Sequence, residues 1–268
     1  MKKFVVIFSL FLSGFCWLSG QEEVKNFYLS KSDKESHVYH EYRLKPTVPS
    51  YGLTKIQAMI SKINIDADFK DEDDEEGHVD YFSEGYWALS DKEFNKLSPR
   101  EKFTYVMIHP EVNTQNCDIQ LNIEEEHKKI FANLPNGYDE VFWSNRQVNF
   151  LKKNRDLVVE LIKESALESK RVGFNYKMAL EEINAVEMVP FLIEFYSKSK
   201  KDKDILTLLM LLMKNNKYAP FLRSTIYREL YDEEGEWDSF YRRNISYNKS
   251  NEDQIIDKAK EFYIYKKR

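Results

Sequence analysis

The segment 205–213 constrains the fold of this chain more than any other. Leucine, isoleucine and methionine occupy nearly every side of a helix drawn through it, so no broad polar face remains for solvent. A helix that is apolar all round lies in the interior of a protein, with other elements packed around it. The segment therefore predicts a fold in which several helices surround a central one.

The residue composition favours the same kind of fold. The 268 residues include only eight glycines and seven prolines, while 42% are hydrophobic and 15% are aromatic. Few turn-forming residues and a large supply of core residues favour helices over a β-sandwich, which needs many tight turns. We expect a mainly α-helical protein of stacked antiparallel helix pairs, either a short α-solenoid or an irregular helical domain.

Local signals place several of these helices. Apolar residues recur at helical spacing over 51–63. Ser90 with Glu93, and Ser98 with Glu101, each fit the capping box, in which the two side chains satisfy free N–H groups at a helix start. Further helices are expected near residues 157–162, 178–183, 186–195, 205–212 and 255–262, and over 123–134.

Other signals mark helix starts and segments outside the helices. Asn175 and Asn251 are of the residue type that caps helices, and we expect each to cap the helix that follows. Residues 21–49 lack a clear period, so we expect an extended or loosely packed lead-in. The strongly acidic stretch 66–76 cannot bury itself and is expected to be an exposed loop.

The first twenty residues have the order of a secretory signal peptide. Two lysines are followed by the uncharged, largely apolar stretch 4–15, and then by the small residues Ser19 and Gly20. The apolar part is shorter than the roughly 20 residues that span a bilayer. We expect residues 1–20 to be removed and the protein to be exported, to the periplasm or beyond, and the Met-Lys-Lys opening favours a bacterial source.

Cys16 leaves a second interpretation of this segment open. Bacterial lipoproteins are cut before a cysteine that then carries lipid, although here the bulky Phe15 precedes the cysteine. Lipidation at Cys16 would attach the protein to a membrane. Cleavage near Gly20 would instead leave Cys117 unpaired, and we interpret Cys117 as a small buried hydrophobic residue in a protein without a disulfide.

Charge divides the mature chain into two regions. Residues 21–144 carry a strong acidic excess and residues 145–268 a slight basic one. We interpret the first as an acidic, mostly helical N-terminal region and the second as a region of helical repeats. Neither has the dense basic face that nucleic acid requires. We interpret a short run of lysines in the second region as solvated loop charge: Lys198, Lys200, Lys201 and Lys203.

A triplet of residues recurs in the second region. Pro190-Phe191-Leu192 returns as Pro220-Phe221-Leu222, and each copy follows an apolar helical stretch and a short polar link, near Asn184 and Asn216 respectively. Over about residues 150–230 this pattern resembles HEAT-like repeats, in which a proline near the start of the second helix of a pair precedes an apolar face. The resemblance implies a short HEAT-like α-solenoid whose surface binds a protein or peptide partner.

Histidines near acidic residues are the candidates for metal binding or acid–base chemistry. His37, His40 and Glu41 stand at a spacing that could place two imidazoles on one helical face, as zinc binding requires. His78 and Asp80 could form a general base pair. No partner motif completes either set, so we assign no metal, cofactor or catalytic residue.

The remaining candidate motifs are weaker still. His109, Glu111 and Cys117 lie close in sequence, but a cysteine–histidine pair depends on folded geometry. The acidic stretch lacks the glycine and glutamate spacing of a calcium-binding EF-hand loop. P-loop, GxGxxG and GxSxG motifs are absent. Aromatic residues cluster over 81–87 and 237–241, and we interpret them as packing residues, with stacking on sugars or peptides as the alternative.

Three functions are compatible with the sequence. The repeat favours an exported, non-catalytic interaction or scaffold protein. The alternatives are an exported hydrolase or metal-dependent enzyme with its site in the N-terminal half, and a lipid-anchored structural protein of the cell envelope. Convergence of the histidines with carboxylates in one pocket would favour the enzyme: His37, His40, His78, His109 and His127.

Overall fold

A computed structural model describes residues 31–63, 85–113, 123–135, 141–231 and 243–268. Within these ranges the protein is mainly helical with a few short strands, which confirms the predicted fold class. No helix within them is both long and apolar enough to cross a membrane. The predicted signal peptide, Cys16 and the acidic stretch 66–76 lie outside the described residues.

The described ranges contain twelve α-helices and five short strands. The helices are α1 (Lys31–Leu44), α2 (Leu53–Ile60), α3 (Asp91–Lys96), α4 (Pro99–Ile108), α5 (Asn145–Lys153), α6 (Arg155–Ser169), α7 (Phe174–Glu182), α8 (Val189–Ser197), α9 (Asp204–Asn215), α10 (Ala219–Leu222), α11 (Thr225–Tyr231) and α12 (Lys249–Lys266). The strands are β1 (Gly85–Tyr86), β2 (Val112–Asn113), β3 (Lys129–Phe131), β4 (Val141–Phe142) and β5 (Asn244–Ser246).

The prediction of a central apolar helix is confirmed by α9. Every residue from Asp204 to Met213 is buried. The helix packs against α7, α8 and α12 and against strand β3. Because burial of one leucine or isoleucine side chain contributes about 1.5–3 kcal/mol, α9 is the apolar centre of the fold.

Both charge-defined regions contribute to the core around α9. Buried side chains from Ile56 of α2 to Phe262 of α12 belong to a single cluster. Antiparallel pairing of β3 with β5 also joins the two regions and places Ile130 opposite Ile245. The strands β1, β2 and β4 form a separate antiparallel sheet in that order.

The helix starts that were predicted from capping boxes are confirmed. The Ser90 and Ser98 side chains accept the backbone N–H groups of Glu93 and Glu101, and each glutamate side chain accepts its serine's N–H in return. Ser144 begins α5 in the same way. Each box satisfies groups that would otherwise lack partners at the helix start.

The predicted helix over 123–134 is wrong. A 3-10 turn at Glu126–Lys128 leads directly into strand β3. Ile130 and Phe131 are buried there, and the strand's backbone groups pair with β5, which is distant in the sequence. Apolar spacing within the segment cannot reveal such a partner, because strand pairing is a tertiary interaction.

The expectation of an extended lead-in over 21–49 is wrong for residues 31–44, which form helix α1. The caps predicted at Asn175 and Asn251 are wrong as well. Asn175 lies inside α7, which starts after Gly173, and Asn248 caps α12 by accepting the backbone N–H of Asn251. A search of the sequence for apolar residues at helical spacing missed α1, because α1 carries no continuous apolar stripe.

The two copies of the repeated triplet have similar turns but unequal second helices. Helices α7 and α9 are each followed, two residues beyond their last residue, by a residue with positive φ, Asn184 and Lys217. The side-chain amides of Asn184 and Asn216 exchange hydrogen bonds across the two turns, at 2.6 and 3.3 Å. The first triplet begins the nine-residue α8, whereas the second falls in the four-residue α10. The second copy therefore departs from the full helix pair that a HEAT-like repeat implies.

Candidate functional site

The histidines converge only in part. His40 Nδ1 is 3.0 Å from a Glu126 carboxylate oxygen, and His127, the next residue along the chain, contacts Ser36 on the same helix as His40. His37 is exposed and contacts Glu41 on the same helix. The His109 ring instead bonds through Nε2 to the Trp87 carbonyl at 2.6 Å. The remaining histidine candidate, the pair of His78 and Asp80, lies outside the described residues, as does Cys117.

A serine and a carboxylate flank the His127 ring. The Ser36 hydroxyl lies 3.2 Å from His127 Nδ1 and accepts the backbone N–H of Glu126 at 3.1 Å. On the other side of the ring, Nε2 is 3.3 Å from a Glu35 carboxylate oxygen. A serine, an imidazole and a carboxylate in this order are the elements of an activated nucleophile.

Glu126 belongs to a buried network of charges below this surface group. The Arg43 guanidinium of α1 donates to Glu126 at 2.7 Å and to Asp204 at 3.0 Å. All three side chains are almost completely buried, and the guanidinium also lies over the Phe131 ring. The network therefore joins α1, the 3-10 turn and the start of the central helix α9.

The network continues to two buried lysines. Lys177 of α7 donates to Asp202 at 2.7 Å and lies 3.7 Å from Asp204. Lys203 is buried over the rings of Tyr39 and Tyr247. The interpretation of Lys203 as solvated loop charge is therefore wrong, whereas the neighbouring Lys198, Lys200 and Lys201 are exposed.

The electrostatics favour the charged forms of Glu126 and Asp204. Burial opposes ionisation of Glu126 and Asp204, but hydrogen bonds and positive charges outweigh it and hold the pKa of each carboxyl below its ordinary value. His40 and Arg43 act on Glu126, while Arg43 and Lys177 act on Asp204. Because Glu126 and Asp204 are paired with cations, these ion pairs link α1, the 3-10 turn and α9.

A second buried carboxylate, Glu111, is also fully paired. Its oxygens accept hydrogen bonds from the Tyr105 hydroxyl at 2.8 Å, from the Ser144 hydroxyl at 2.5 Å and from the Arg146 guanidinium. The sequence placed Glu111 near His109 and Cys117, but its contacts go to α4 and α5 instead. Burial and its bonds make Glu111 a structural anchor beneath the small sheet.

A cavity of about 360 Å³ opens beside that sheet. It lies within the size range of small-molecule and side-chain binding sites. The cavity is lined by Pro46, Val48, Met107, Ile108, Pro110, Val141, Phe142, Trp143, Val148, Phe174, Asn175, Met178 and Glu182. We call it the apolar pocket, because nearly all of these side chains are hydrophobic.

Hydrogen bonds hold the walls of the apolar pocket in place. Trp143 Nε1 donates to the Val106 carbonyl at 2.8 Å. The Asn175 amide accepts the Thr47 N–H and donates to the Thr47 and Met107 carbonyls, all within 3.0 Å. A fixed wall makes the pocket a preformed site, since little ordering is needed on binding.

Gly173 allows the segment before α2 to lie against the start of α7. A Cβ atom at this position would stand 2.1 Å from the Thr47 backbone nitrogen, which no side chain can do. The glycine N–H in turn donates to the Thr47 hydroxyl at 2.8 Å. This close approach places Pro46 and Val48 at the mouth of the apolar pocket.

Three exposed hydrophobic residues lie at the apolar pocket. Val48, Val141 and Phe142 are 48%, 40% and 37% exposed, and all three line the pocket. Single exposed hydrophobic residues are common on protein surfaces, whereas these three share one cavity. The arrangement can hold an apolar side chain from outside.

The described residues show no group of three or more His, Cys, Asp or Glu side chains placed to hold a metal ion. Of the two predicted aromatic clusters, 237–241 lies wholly outside the described residues, and so do residues 81–84 of the cluster 81–87. Trp87 is described, and its side chain is partly exposed. Sequence reasoning did not find the apolar pocket, since its lining comes from five separate stretches of chain. The sequence signal that could have indicated the pocket was the hydrophobic run Val141-Phe142-Trp143, which follows Pro135 and Gly137.

Comparison with known proteins does not assign a function to this site. No protein-family model matches the chain, and no curated protein or solved structure is significantly similar to it.

Proposed function

We propose that this is an exported, non-catalytic interaction protein and that its apolar pocket receives a hydrophobic side chain of a protein partner. The observation that carries the proposal is the preformed pocket with exposed Val48, Val141 and Phe142 at its mouth. Residues 1–20 support export, and α7, the helix before the first copy of the repeated triplet, supplies part of the pocket wall.

Hydrophobic burial contributes favourably to such an interaction. One aliphatic or aromatic side chain moved from water into the pocket contributes about 1.5–3 kcal/mol. The exposed residues at the mouth would be covered at the same time. A few such buried anchors supply most of the affinity in protein interfaces.

Selection from a random peptide library tests the proposal. The wild-type protein should enrich peptides that share a hydrophobic anchor, and Met178→Lys, which places a charge in the pocket wall, should bind them at least about tenfold more weakly. Leu167→Lys on α6 is the matched control, because Leu167 is 55% exposed and away from the pocket lining. Selection that enriches the same peptides on wild type and Met178→Lys would contradict the proposal.

Export is tested separately by the intact mass of the protein recovered from outside the cytoplasm. A mass that begins near Gln21 supports cleavage as proposed. A mass that begins at Cys16 and includes lipid would instead support the anchored envelope protein.

A hydrolase is the second candidate, favoured by the contacts of Ser36 with His127 and of His127 with Glu35. In such an enzyme the Ser36 oxygen would attack an electrophilic centre, while its proton passes to His127 Nδ1. Glu35 would stabilise the imidazolium that forms.

A fluorophosphonate probe tests this second candidate directly. Attack of Ser36 forms an oxygen–phosphorus bond and releases fluoride, so the protein gains the mass of the phosphonyl group. Labelling that is lost in Ser36→Ala and His127→Ala, but kept in Ser32→Ala on the same helix, supports a hydrolase. Absence of labelling on the wild type excludes Ser36 as a nucleophile of this kind.

A further inference from the structure

We propose that the partner contributes an extended strand that adds to the open edge of β4, with a hydrophobic side chain in the apolar pocket and a lysine or arginine beside Glu182. This inference rests on the proposed function and specifies the partner's chemistry. It follows from three features of the described residues: an edge strand, the pocket next to it and the charge in the pocket wall.

The edge strand is β4. In the sheet order β1-β2-β4, and among the residues that the structure describes, β4 pairs with β2 on one side only, with Val112 opposite Phe142 and Asn113 opposite Val141. Alternate residues of an antiparallel strand point their N–H and C=O groups away from the partner. One of the two residues of β4 therefore presents its backbone groups toward the open edge, where another strand can pair.

The side chains of β4 link this edge to the pocket. Val141 and Phe142 are both exposed and both line the apolar pocket, and Trp143 continues the lining. Proteins usually protect an edge strand with charge or proline, yet these consecutive residues are hydrophobic. A strand added to β4 would cover them and would place its own alternate side chains toward the cavity.

The charge of Glu182 in the pocket wall favours an extended partner that carries a positive side chain. Of the residues that line the pocket, Glu182 alone is ionisable as an acid or base. It is partly exposed and pairs with Lys152 at 2.6 Å, and Lys152 is itself half exposed. An exposed pair of this kind contributes only about 0–1 kcal/mol, so a cation from the partner can replace Lys152. An acidic side chain of the partner at this position would instead face the Glu182 carboxylate.

Titration calorimetry with synthetic peptides tests the mode of binding. The probes are capped peptides of alternating valine and threonine around a central leucine, with one lysine placed two residues before or after the leucine. At least one of the two lysine peptides should bind the full mature chain. Replacing its leucine by alanine should weaken binding at least about tenfold, and replacing its lysine by glutamate should weaken it by up to about fivefold.

The Glu182→Gln variant should remove the preference for lysine over glutamate. Glu160→Gln is the matched control, because Glu160 is exposed on α6 and does not line the pocket; it should keep the preference. Methylation of the peptide nitrogens separates strand pairing from simple pocket binding. Methylating one alternate set of nitrogens should abolish binding, while methylating the other set should leave it unchanged, because only one set faces β4.

Two results would overturn the inference in distinguishable ways. Binding that needs the leucine but tolerates both methylated sets and the charge reversal would retain the pocket and eliminate strand addition. Absence of binding by every peptide, together with no enrichment in the library selection, would eliminate the proposed function as well.

Discussion

Helices α1 and α9 meet where Arg43 contacts Asp204, but they are held in place by different forces. α9 is buried along its length by apolar side chains from α7, α8 and α12. α1 buries only a few residues, and its main contacts are polar: Arg43 with Glu126 and Asp204, and His40 with Glu126. A helix without an apolar stripe can thus be docked by a small set of buried ion pairs.

The two modes of docking fail differently. Loss of an apolar contact leaves a cavity, whose cost depends on how far the neighbours relax. Loss of one ion-pair partner leaves a buried charge without compensation, which is strongly destabilising. The comparison therefore predicts that single changes in the α1 network have the largest effects in this protein.

Arg43→Ala should lower the free energy of unfolding by about 3–5 kcal/mol, because it leaves Glu126 and Asp204 buried without their shared cation. Urea denaturation followed by circular dichroism measures the change. Arg228→Ala, an exposed arginine on α11, is the matched control and should stay within about 0.5 kcal/mol of wild type. Equal midpoints for the two variants would show that the network does not dock α1.

Leu208→Ala in the middle of α9 should lower the free energy of unfolding by about 2–5 kcal/mol. Leu208 is completely buried, so the change removes its contacts and leaves a cavity. The same denaturation experiment on Leu167→Ala, where the leucine is largely exposed, should show only a small change. If both variants unfolded alike, α9 would not be the apolar centre.

The contrast between α1 and α9 also explains which parts of the fold the sequence could predict. Continuous apolar periodicity identified α9, and local capping residues identified the starts of α3 and α4, because these signals lie within the element itself. α1 gave no such signal, since Arg43 is an unremarkable basic residue until Asp204 and Glu126 are brought against it. Strand β3 was missed for the same reason, as its partner β5 is far away in the sequence.

The candidate site was even less accessible to sequence reasoning. The triplet repeat pointed to the second region, and α7 of that region does form one wall of the apolar pocket. The opposite walls come from Pro46, Met107 and Trp143, which no local pattern connects. Lys203 was assigned to solvent because it stands among exposed lysines, whereas two tyrosine rings cover it in the fold.

Acid should weaken the docking of α1 through Glu126. Its pKa is depressed in the folded protein, so the unfolded state takes up protons first as the pH falls. The carboxylate's contribution is therefore fully present above its unfolded pKa, near 4.5, and is lost as the pH falls through the folded value. The stability difference between wild type and Glu126→Gln, measured in urea, should be largest near pH 7 and shrink below about pH 4.5.

The control is Asp257→Asn on the exposed face of α12, whose stability difference from wild type should change much less with pH. A difference for Glu126→Gln that does not change with pH would contradict the pairing of Glu126 with Arg43 and His40.

A single imidazole outside the network should give the smallest effect and sharpen the comparison further. Burial lowers the pKa of His109, and the bond of its ring to the Trp87 carbonyl and the charge of Glu111 offset this only in part. Because the folded pKa lies below the unfolded value near 6.5, His109 contributes stability above that pH and loses it as the pH falls through the folded value. The stability difference between wild type and His109→Asn should therefore decrease from pH 7.5 to pH 5.5, a range in which the carboxylates that dock α1 stay ionised. His37→Asn, an exposed imidazole on α1, should show no comparable decrease. A decrease of the same size in both variants would mean that burial of His109 is not its cause. A decrease in His109→Asn alone would distinguish the burial of an imidazole without an ion-pair partner from the buried ion pairs that hold α1.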